Sequence, residues 1–328
     1  MSDASAPHRL AFVAKLTRRI DRPLVIAFAC IVALLLVGGM FSRSFTSPEY
    51  ILLQLKVGAF LGIIATGMML VILLGHIDLS LPWTITAGAM MACAVAGHGA
   101  FGQIAAIPVG VGCGVLIGIV NGILVAFLRI PSMIATLATN AVVQGIMIVY
   151  TGGSSPQDSA PAAMRWLAAG WLMPGVPTAV VLWVLIGGAT MFLLSRTAFG
   201  RTLYGIGNTE RAAYLSGINT RGVTVAAFAA CSAFAAFGGV LLAGYASKAA
   251  QSMGDAYLLP AIAAVVLGGT SILGGRGSYL GTVAGAILIT LLQSILSVAQ
   301  MPEAGRQIIY GVVIAAMLLL YGRDKRNA

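Results

Sequence analysis

The stretch from residue 79 to residue 128 reads LSLPWTITAGAMMACAVAGHGAFGQIAAIPVGVGCGVLIGIVNGILVAFL and contains no Asp, Glu, Lys or Arg. A helix of about 20 apolar residues crosses the hydrocarbon core of a bilayer, so this stretch is long enough for two crossings. The polar break Gly97-His98-Gly99 separates them. Apolar residues run continuously here instead of alternating with polar ones. The stretch therefore predicts two transmembrane helices and not strands of a barrel.

The rest of the chain has the same apolar character. Its 328 residues are 59% hydrophobic and 9% charged, and the mean hydropathy is +0.98. Soluble domains carry about a quarter charged residues, and soluble monomers rarely expose large apolar patches. The composition therefore excludes a secreted disulfide scaffold, a disordered tail and a cytosolic enzyme domain. It predicts an all-α integral membrane protein.

The gaps between charged residues mark the individual spans. Nine charge-free stretches lie at 23–42, 57–77, 79–128, 130–157, 166–195, 222–247, 256–275, 277–302 and 307–322. Because the third holds two crossings, we predict about ten transmembrane helices in a single domain at 23–322. The first stretch is longer than the apolar core of a signal peptide, and no clear cleavage site follows it, so we expect it to remain a helix.

The distribution of basic residues predicts the orientation. With the N-terminus in the cytoplasm, 14 of the 19 Lys and Arg residues fall on the cytoplasmic side, the side that membrane proteins enrich in them. We therefore expect both termini to be cytoplasmic, with an N-terminal segment at 1–22, a tail at 323–328 and a long cytoplasmic loop at 196–222. The loop at 151–177 lies outside. The net charge of +10 then reflects topology in a lipid bilayer, and we expect no nucleic-acid binding.

The cytoplasmic loop contains a candidate docking helix. Residues 195–222 read SRTAFGRTLYGIGNTERAAYLSGINTRG. Asn208 is a favourable N-cap and Gly217 a favourable C-terminal cap, and two helical turns fit between them over Thr209–Ser216. A short capped helix on the cytoplasmic surface is typical of a part that another protein contacts.

One predicted helix boundary combines helix-breaking residues with ionisable side chains. The segment Gly75-His76-Ile77-Asp78-Leu79-Ser80-Leu81-Pro82 is interrupted by its glycine and its proline. It is either a structural turn, in which Asp78 and Ser80 cap the next helix, or a broken helix that lines a polar pathway. Polar side chains within spans suit a neutral, hydroxyl-rich solute, or equally plain interhelical hydrogen bonds. The candidate pathway residues are His76, Asp78, Ser80, Asn121, Asn140, Gln144 and Gln293.

Several common sites are missing from the sequence. The absence of any Gly-Lys dipeptide excludes a phosphate-binding loop for ATP. HExxH, GxSxG and CxxC are absent too, so we expect no metal, no cofactor and no catalytic residues. The glycine-rich segment at 268–278 predicts a sharp cytoplasmic turn between helices, built on Gly268, Gly269, Thr270, Gly274, Gly275, Arg276 and Gly277.

Glycine spacing predicts close helix packing. Four glycines recur every four residues between the break at 97–99 and residue 128, namely Gly110, Gly114, Gly118 and Gly122. Small residues at this spacing let helix backbones approach closely in lipid. We favour packing within one subunit over a contact between two subunits.

Together the three motif segments resemble the permease subunits of bacterial ABC importers for monosaccharides, of the ribose type. The pattern GGIDLSVG appears as residues 75–82, with departures at His76, Leu81 and Pro82. The pattern GGTSxxGGRGxxxGTxxGA matches from Gly268 through Ala286. The cytoplasmic pattern GxNxxAAxxSGI matches Gly207, Asn208, Ala212, Ala213, Ser216, Gly217 and Ile218.

The resemblance implies a fold and a set of partners. It implies a type II ABC importer-like permease in the bacterial inner membrane, which translocates a monosaccharide or related polyol. A cytoplasmic ABC ATPase subunit would dock on the coupling helix at about 208–218, with Glu210 and Arg211 in the contact. A periplasmic sugar-binding protein would deliver the solute, and a second permease copy or paralogue would complete the pathway. The alternatives are a stand-alone secondary carrier of a small neutral solute and, less favoured, a membrane scaffold or intramembrane enzyme.

Overall fold

The computed structural model describes residues 22–41, 43–154 and 159–324. The predicted N-terminal segment, apart from Arg22, and residues 325–328 of the predicted tail lie outside the described residues. The helices are α1 (Arg22–Phe41), α2 (Pro48–Leu73), α3 (Leu81–Ala96), α4 (Gly99–Ala126), α5 (Ser132–Thr151), α6 (Ala162–Ala169), α7 (Thr178–Arg196), α8 (Ala198–Asn208), α9 (Glu210–Leu215), α10 (Thr220–Ala246), α11 (Leu258–Leu267), α12 (Tyr279–Val298) and α13 (Glu303–Asp324). The remaining regular elements are 3-10 turns at Arg43–Thr46 and Asp255–Tyr257 and an antiparallel hairpin of β1 (Trp171–Met173) and β2 (Val176–Pro177).

The helices match the apolar stretches of the sequence and confirm an all-α membrane fold. Each of the ten predicted crossings contains one helix. Within the described residues, six helices are long and apolar enough to span a bilayer: α2, α4, α5, α7, α10 and α12. By contrast, α3 has 16 residues and α11 has 10, which correspond to about 24 Å and about 15 Å of helix. These two helices do not reach across a hydrocarbon core of about 30 Å.

The short helices begin inside the bundle because non-helical segments lead into them. The re-entrant segment, which we define as residues 74–80, follows α2, and all of its residues except the exposed Gly75 are buried or half-buried. The second non-helical segment lies between α10 and α11. It includes Gly254, whose amide donates to Thr86 Oγ1 at 3.2 Å. A Cβ on Gly254 would overlap the carbonyl oxygen of Pro82. The two interruptions therefore meet at the start of α3.

Helix α10 is the centre of the bundle and packs against α2, α3 and α4. The predicted glycine ladder of α4 lies in this contact. A Cβ on Gly114 would overlap the carbonyl oxygen of Ser232, and one on Gly118 would overlap that of Phe228. The ladder therefore packs within the subunit, as expected, and brings α4 backbone to backbone with α10.

Substitution of the ladder tests this packing. We expect Gly114→Ala to lower the free energy of unfolding by about 1–3 kcal/mol, the usual cost of forcing extra volume into a packed core. Gly112→Ala is the matched control, because a Cβ there meets no atom within 4 Å. Thermal unfolding of the detergent-solubilised chain measures both. Equal midpoints for the two variants would contradict the assigned packing face.

Candidate translocation and coupling site

Side chains of α5 hold the backbone of the re-entrant segment. The amide of Ile77 donates to Ser132 Oγ at 3.4 Å, and the amide of Leu79 donates to Thr136 Oγ1 at 2.9 Å. One turn further along α5, Asn140 Oδ1 accepts from the amide of Trp83 at 3.3 Å. Three polar side chains at four-residue spacing lie on one helix face. They supply the acceptors that an unbroken helix would have provided from its own backbone.

Two of these residues were missed by the sequence analysis. Asn140 was among the predicted pathway residues, whereas Ser132 and Thr136 were not. The signal that identifies them is their spacing with Asn140, because all three occupy the same face of one helix. Gln144 continues the spacing and is half-buried, but it makes none of these hydrogen bonds within the described residues. Gln293 lies on α12 and does not join this group.

The other face of the re-entrant segment forms a buried polar cluster, which we define as Asp78, Ser80, Asn121 and Ser232. Asp78 is 1% exposed. Its Oδ1 accepts from the amide of Ser80 at 2.9 Å and from the hydroxyl of Ser80 at 2.6 Å. Its Oδ2 accepts from Ser232 Oγ at 3.3 Å, and Asn121 Nδ2 donates to Ser80 Oγ at 2.8 Å. Among the described residues Asp78 has no ion-pair partner.

The capping predicted for this segment is wrong in its details. Ser80 does occupy the N-cap position of α3, but its side chain makes no capping hydrogen bond. The hydroxyl is used inside the cluster instead, because the buried carboxyl group of Asp78 needs hydrogen-bond donors. The side-chain oxygen Oδ1 of Asn121 is buried and has no protein partner among the described residues. The segment is therefore a non-helical stretch between α2 and α3 that packs around a polar interior.

A cavity of about 580 Å³ lies at the cytoplasmic end of the re-entrant segment. His76 lines it together with Ser132 and Thr224. Charged side chains border the same space, and Arg129 Nη1 lies 3.6 Å from Glu210 Oε1. Of the seven predicted pathway residues, His76, Asp78 and Ser80 thus lie on the re-entrant segment, Asn121 hydrogen-bonds to it, and Asn140 hydrogen-bonds to the start of α3.

The three motif segments meet at the cytoplasmic end of α2, in what we call the glycine junction (Gly75, Gly207, Gly274 and Gly275). The amide of Gly275 donates to the carbonyl oxygen of Leu73 at 2.9 Å. A Cβ on Gly207 would overlap that same carbonyl oxygen. The residues Gly274 and Gly275 have φ of +83° and +73°, which only glycine adopts at low cost. The predicted sharp turn at 268–278 is therefore confirmed, with Arg276 exposed at its tip and Thr270 buried.

Side chains from α8 attach to this turn. Tyr204 Oη donates to the carbonyl oxygen of Gly277 at 3.0 Å. Burial raises the pKa of the Tyr204 hydroxyl, so it stays protonated and able to donate. Asn208 Nδ2 donates to the carbonyl oxygen of Gly275 at 3.5 Å. Asn208 is thus the last residue of α8 and not the predicted N-cap. Its amide group is used for a tertiary contact, and Thr209 takes the N-cap position of α9.

Helix α9 is shorter than predicted and partly exposed. It spans Glu210–Leu215, and Gly217 follows it at φ +80° as the predicted C-terminal cap. Ala213 is buried, whereas Tyr214 and Leu215 are 67% and 77% exposed. The sequence analysis did not select these two apolar side chains, although the run Tyr214-Leu215 stands out in a charged loop. Exposed with them are Arg211, Ala212, Ser216 and Gly217, and Ile218 is half-buried.

Comparison with known protein families identifies the family of this chain. Residues 50–320 match the model of the family described as the branched-chain amino acid transport system / permease component. The chain belongs to this family. The match includes all three motif segments. A permease of an ABC importer works with an ATPase subunit and a substrate-binding protein.

Curated relatives of this permease agree with the family match. The autoinducer 2 import system permease protein LsrC of Escherichia coli (strain K12 / DH10B) is 31% identical over 299 residues, which cover 91% of this chain and 86% of that protein. The LsrC protein of Yersinia pseudotuberculosis is 32% identical over 90% of this chain and 84% of its own length. The ribose import permease protein RbsC of Haemophilus influenzae is 32% identical over 89% of this chain and 91% of its own length. No solved structure matches the chain.

Removal of one acceptor on α5 tests how the re-entrant segment is held. We expect Thr136→Val to leave the half-buried amide of Leu79 without its side-chain partner, a loss worth about 1–3 kcal/mol. Deuterium exchange of a peptide that covers residues 76–83 should then accelerate by about tenfold or more. Thr139→Val is the matched control, because that buried hydroxyl bonds only to Ala135 of its own helix. Equal exchange in both variants would exclude the proposed support.

Proposed function

We propose that this chain is the transmembrane permease subunit of an ATP-driven importer that carries a monosaccharide or a related polyol across the inner membrane. The observation that carries the proposal is the family match over residues 50–320, which includes the cytoplasmic helix α9. The ribose and autoinducer 2 import permeases among its relatives support a small, hydroxyl-rich solute. The proposed buried route leads from the cavity at His76 to the polar cluster. Its uncharged side chains, Ser80, Asn121 and Asn140, are suited to such a solute, because they exchange hydrogen bonds with hydroxyls.

Helix α9 is the proposed docking point for the ATPase subunit. Tyr214 and Leu215 present large apolar side chains on the surface that Arg196, Arg201, Arg211 and Arg221 mark as cytoplasmic. Exposed apolar residues with a polar surround are typical of a protein interface. Three residues predicted for coupling make tertiary contacts instead. Gly207 is part of the glycine junction, Asn208 hydrogen-bonds to Gly275 in that junction, and Glu210 pairs with Arg129.

The transport cycle follows from these placements. Closure of the ATPase pair moves α9, and the helices around the buried route rock between an outward and an inward opening. A periplasmic sugar-binding protein delivers the solute on the side of the 151–177 loop. A second permease copy or paralogue forms the other half of the pathway.

The stand-alone secondary carrier is the second candidate. The observation in its favour is Asp78, because carriers coupled to protons or sodium place such a carboxylate inside the membrane. The two functions differ in the energy source they require, so one transport assay separates them.

Reconstitution tests the energy source. The chain is placed in liposomes with its ATPase and binding-protein partners, with D-ribose and autoinducer 2 as probes. We expect uptake of at least one probe only when ATP is present on the ATPase side. The chain alone, given a proton or sodium gradient, should take up neither. Gradient-driven uptake by the chain alone would establish the secondary carrier and overturn the importer.

Truncation of the exposed apolar pair tests the docking point. We expect Leu215→Ser to weaken the affinity for the ATPase subunit by about tenfold or more, as loss of an interface anchor does. Leu172→Ser is the matched control, since Leu172 is 52% exposed but lies on the β1–β2 hairpin of the outer side. Co-purification of the ATPase subunit at graded concentrations gives both affinities. Unchanged binding by the Leu215 variant would remove α9 from the interface.

A further inference from the structure

We propose that Gly207 and Gly275 are positioning residues that transmit the movement of α9 to the re-entrant segment, and through it to the buried polar cluster. The inference rests on the proposed function, because it needs an ATPase that moves α9. It adds the physical link between the docking helix and the translocation route, which lie on separate segments of the chain.

The contact at the glycine junction leaves no room for relative movement. A Cβ on Gly274 would lie 2.7 Å from the amide nitrogen of Gly75 and 3.0 Å from the carbonyl oxygens of both Gly207 and Leu73. One on Gly275 would lie 2.8 Å from the amide nitrogen of Asn208. Three backbones, from α8, from the turn at 268–278 and from the end of α2, therefore touch at one point. A displacement of any one of them displaces the other two.

The junction is attached to α9 on one side without a flexible spacer. Gly207 and Asn208 are the last two residues of α8, Thr209 follows, and Glu210 begins α9. The amide of Thr209 donates to the carbonyl oxygen of Gly205 at 3.1 Å, and that of Ala213 donates to the carbonyl oxygen of Thr209 at 3.1 Å. Thr209, in an extended conformation (φ −160°, ψ 99°), is the single residue between the two helices, so a displacement of α9 reaches Gly207 across one residue.

On the other side the junction is attached to the route itself. Gly75 is one residue from His76, which lines the cytoplasmic cavity, and three from Asp78 in the polar cluster. The segment between them is not a helix and is held by single hydrogen bonds to Ser132 and Thr136. Buried polar groups resist intermediate positions in which those bonds are broken. A push at Gly75 is therefore converted into a change between discrete arrangements of the segment.

Cysteine labelling tests the link without the transported solute. His76→Cys serves as a reporter in the full chain, co-assembled with its ATPase subunit in nanodiscs, and mass spectrometry of the peptide that contains residue 76 avoids the native cysteines. A maleimide labels the complex without nucleotide and after trapping with ATP and vanadate. We expect the two labelling rates to differ about fivefold, the lower end of ordinary allosteric coupling. Gly207→Ala should abolish the difference while the ATPase subunit still co-purifies.

Gly205→Ala is the matched control on the same helix, because a Cβ there meets no atom within 4 Å, and it should keep the full difference. If the junction is merely structural, Gly207→Ala lowers the yield of the complex but the labelling of residue 76 still depends on nucleotide. Retention of this difference in the assembled Gly207→Ala complex therefore overturns the inference. A reporter that does not respond to trapping in the unsubstituted junction also overturns it. Failure of the ATPase to assemble with the parent chain refutes the proposed function instead.

A second variant keeps the test decisive if Gly207→Ala does not assemble. Tyr204→Phe combined with Asn208→Ser removes the two side-chain hydrogen bonds to the turn but adds no volume. We expect the nucleotide-dependent difference to fall to half or less. An unchanged difference in this double variant overturns the inference.

Discussion

A non-helical backbone inside a membrane protein must find hydrogen-bond partners that neither lipid nor its own helix provides. The re-entrant segment meets this constraint with the hydroxyls of Ser132 and Thr136 on one side and with its own Asp78 carboxylate on the other. The rest of the site depends on this arrangement. It sets where α3 begins, brings Asn121 and Ser232 into the polar cluster, and lets His76 line the cytoplasmic cavity.

The glycines at the junction and along α4 have a different role, because they let backbones of neighbouring segments approach each other closely. At Gly114 the approach packs α4 onto α10, and at Gly207 it joins α8 to the end of α2. The first contact stabilises the packing of α4 on α10 within the helix bundle. The second brings three segments that are distant in sequence into backbone contact at the end of α2.

The sequence was sufficient for the membrane class, the positions of the apolar helices and the location of the three motifs, because charge spacing and glycine patterns are local signals. It was insufficient for the start of α3, since the charge-free stretch gives the number of crossings but not the depth at which a helix begins. Asn208 failed as a cap because the tertiary contact with Gly275 outweighs local preference. Thr136 was overlooked because a threonine within a helix ordinarily bonds its own backbone, which this one also does.

The depth at which α3 begins has an electrostatic consequence. Aligned peptide dipoles place about half a positive elementary charge at the N-terminus of a helix. In this permease that terminus lies within the bundle, at Ser80, directly beside the Asp78 carboxylate. The field of α3 thus offsets part of the cost of burying the Asp78 carboxyl group, for which the described residues supply no basic partner. A helix that begins inside the bundle can therefore supply, through its backbone, part of the electrostatic complement that a buried acidic side chain otherwise takes from a basic residue.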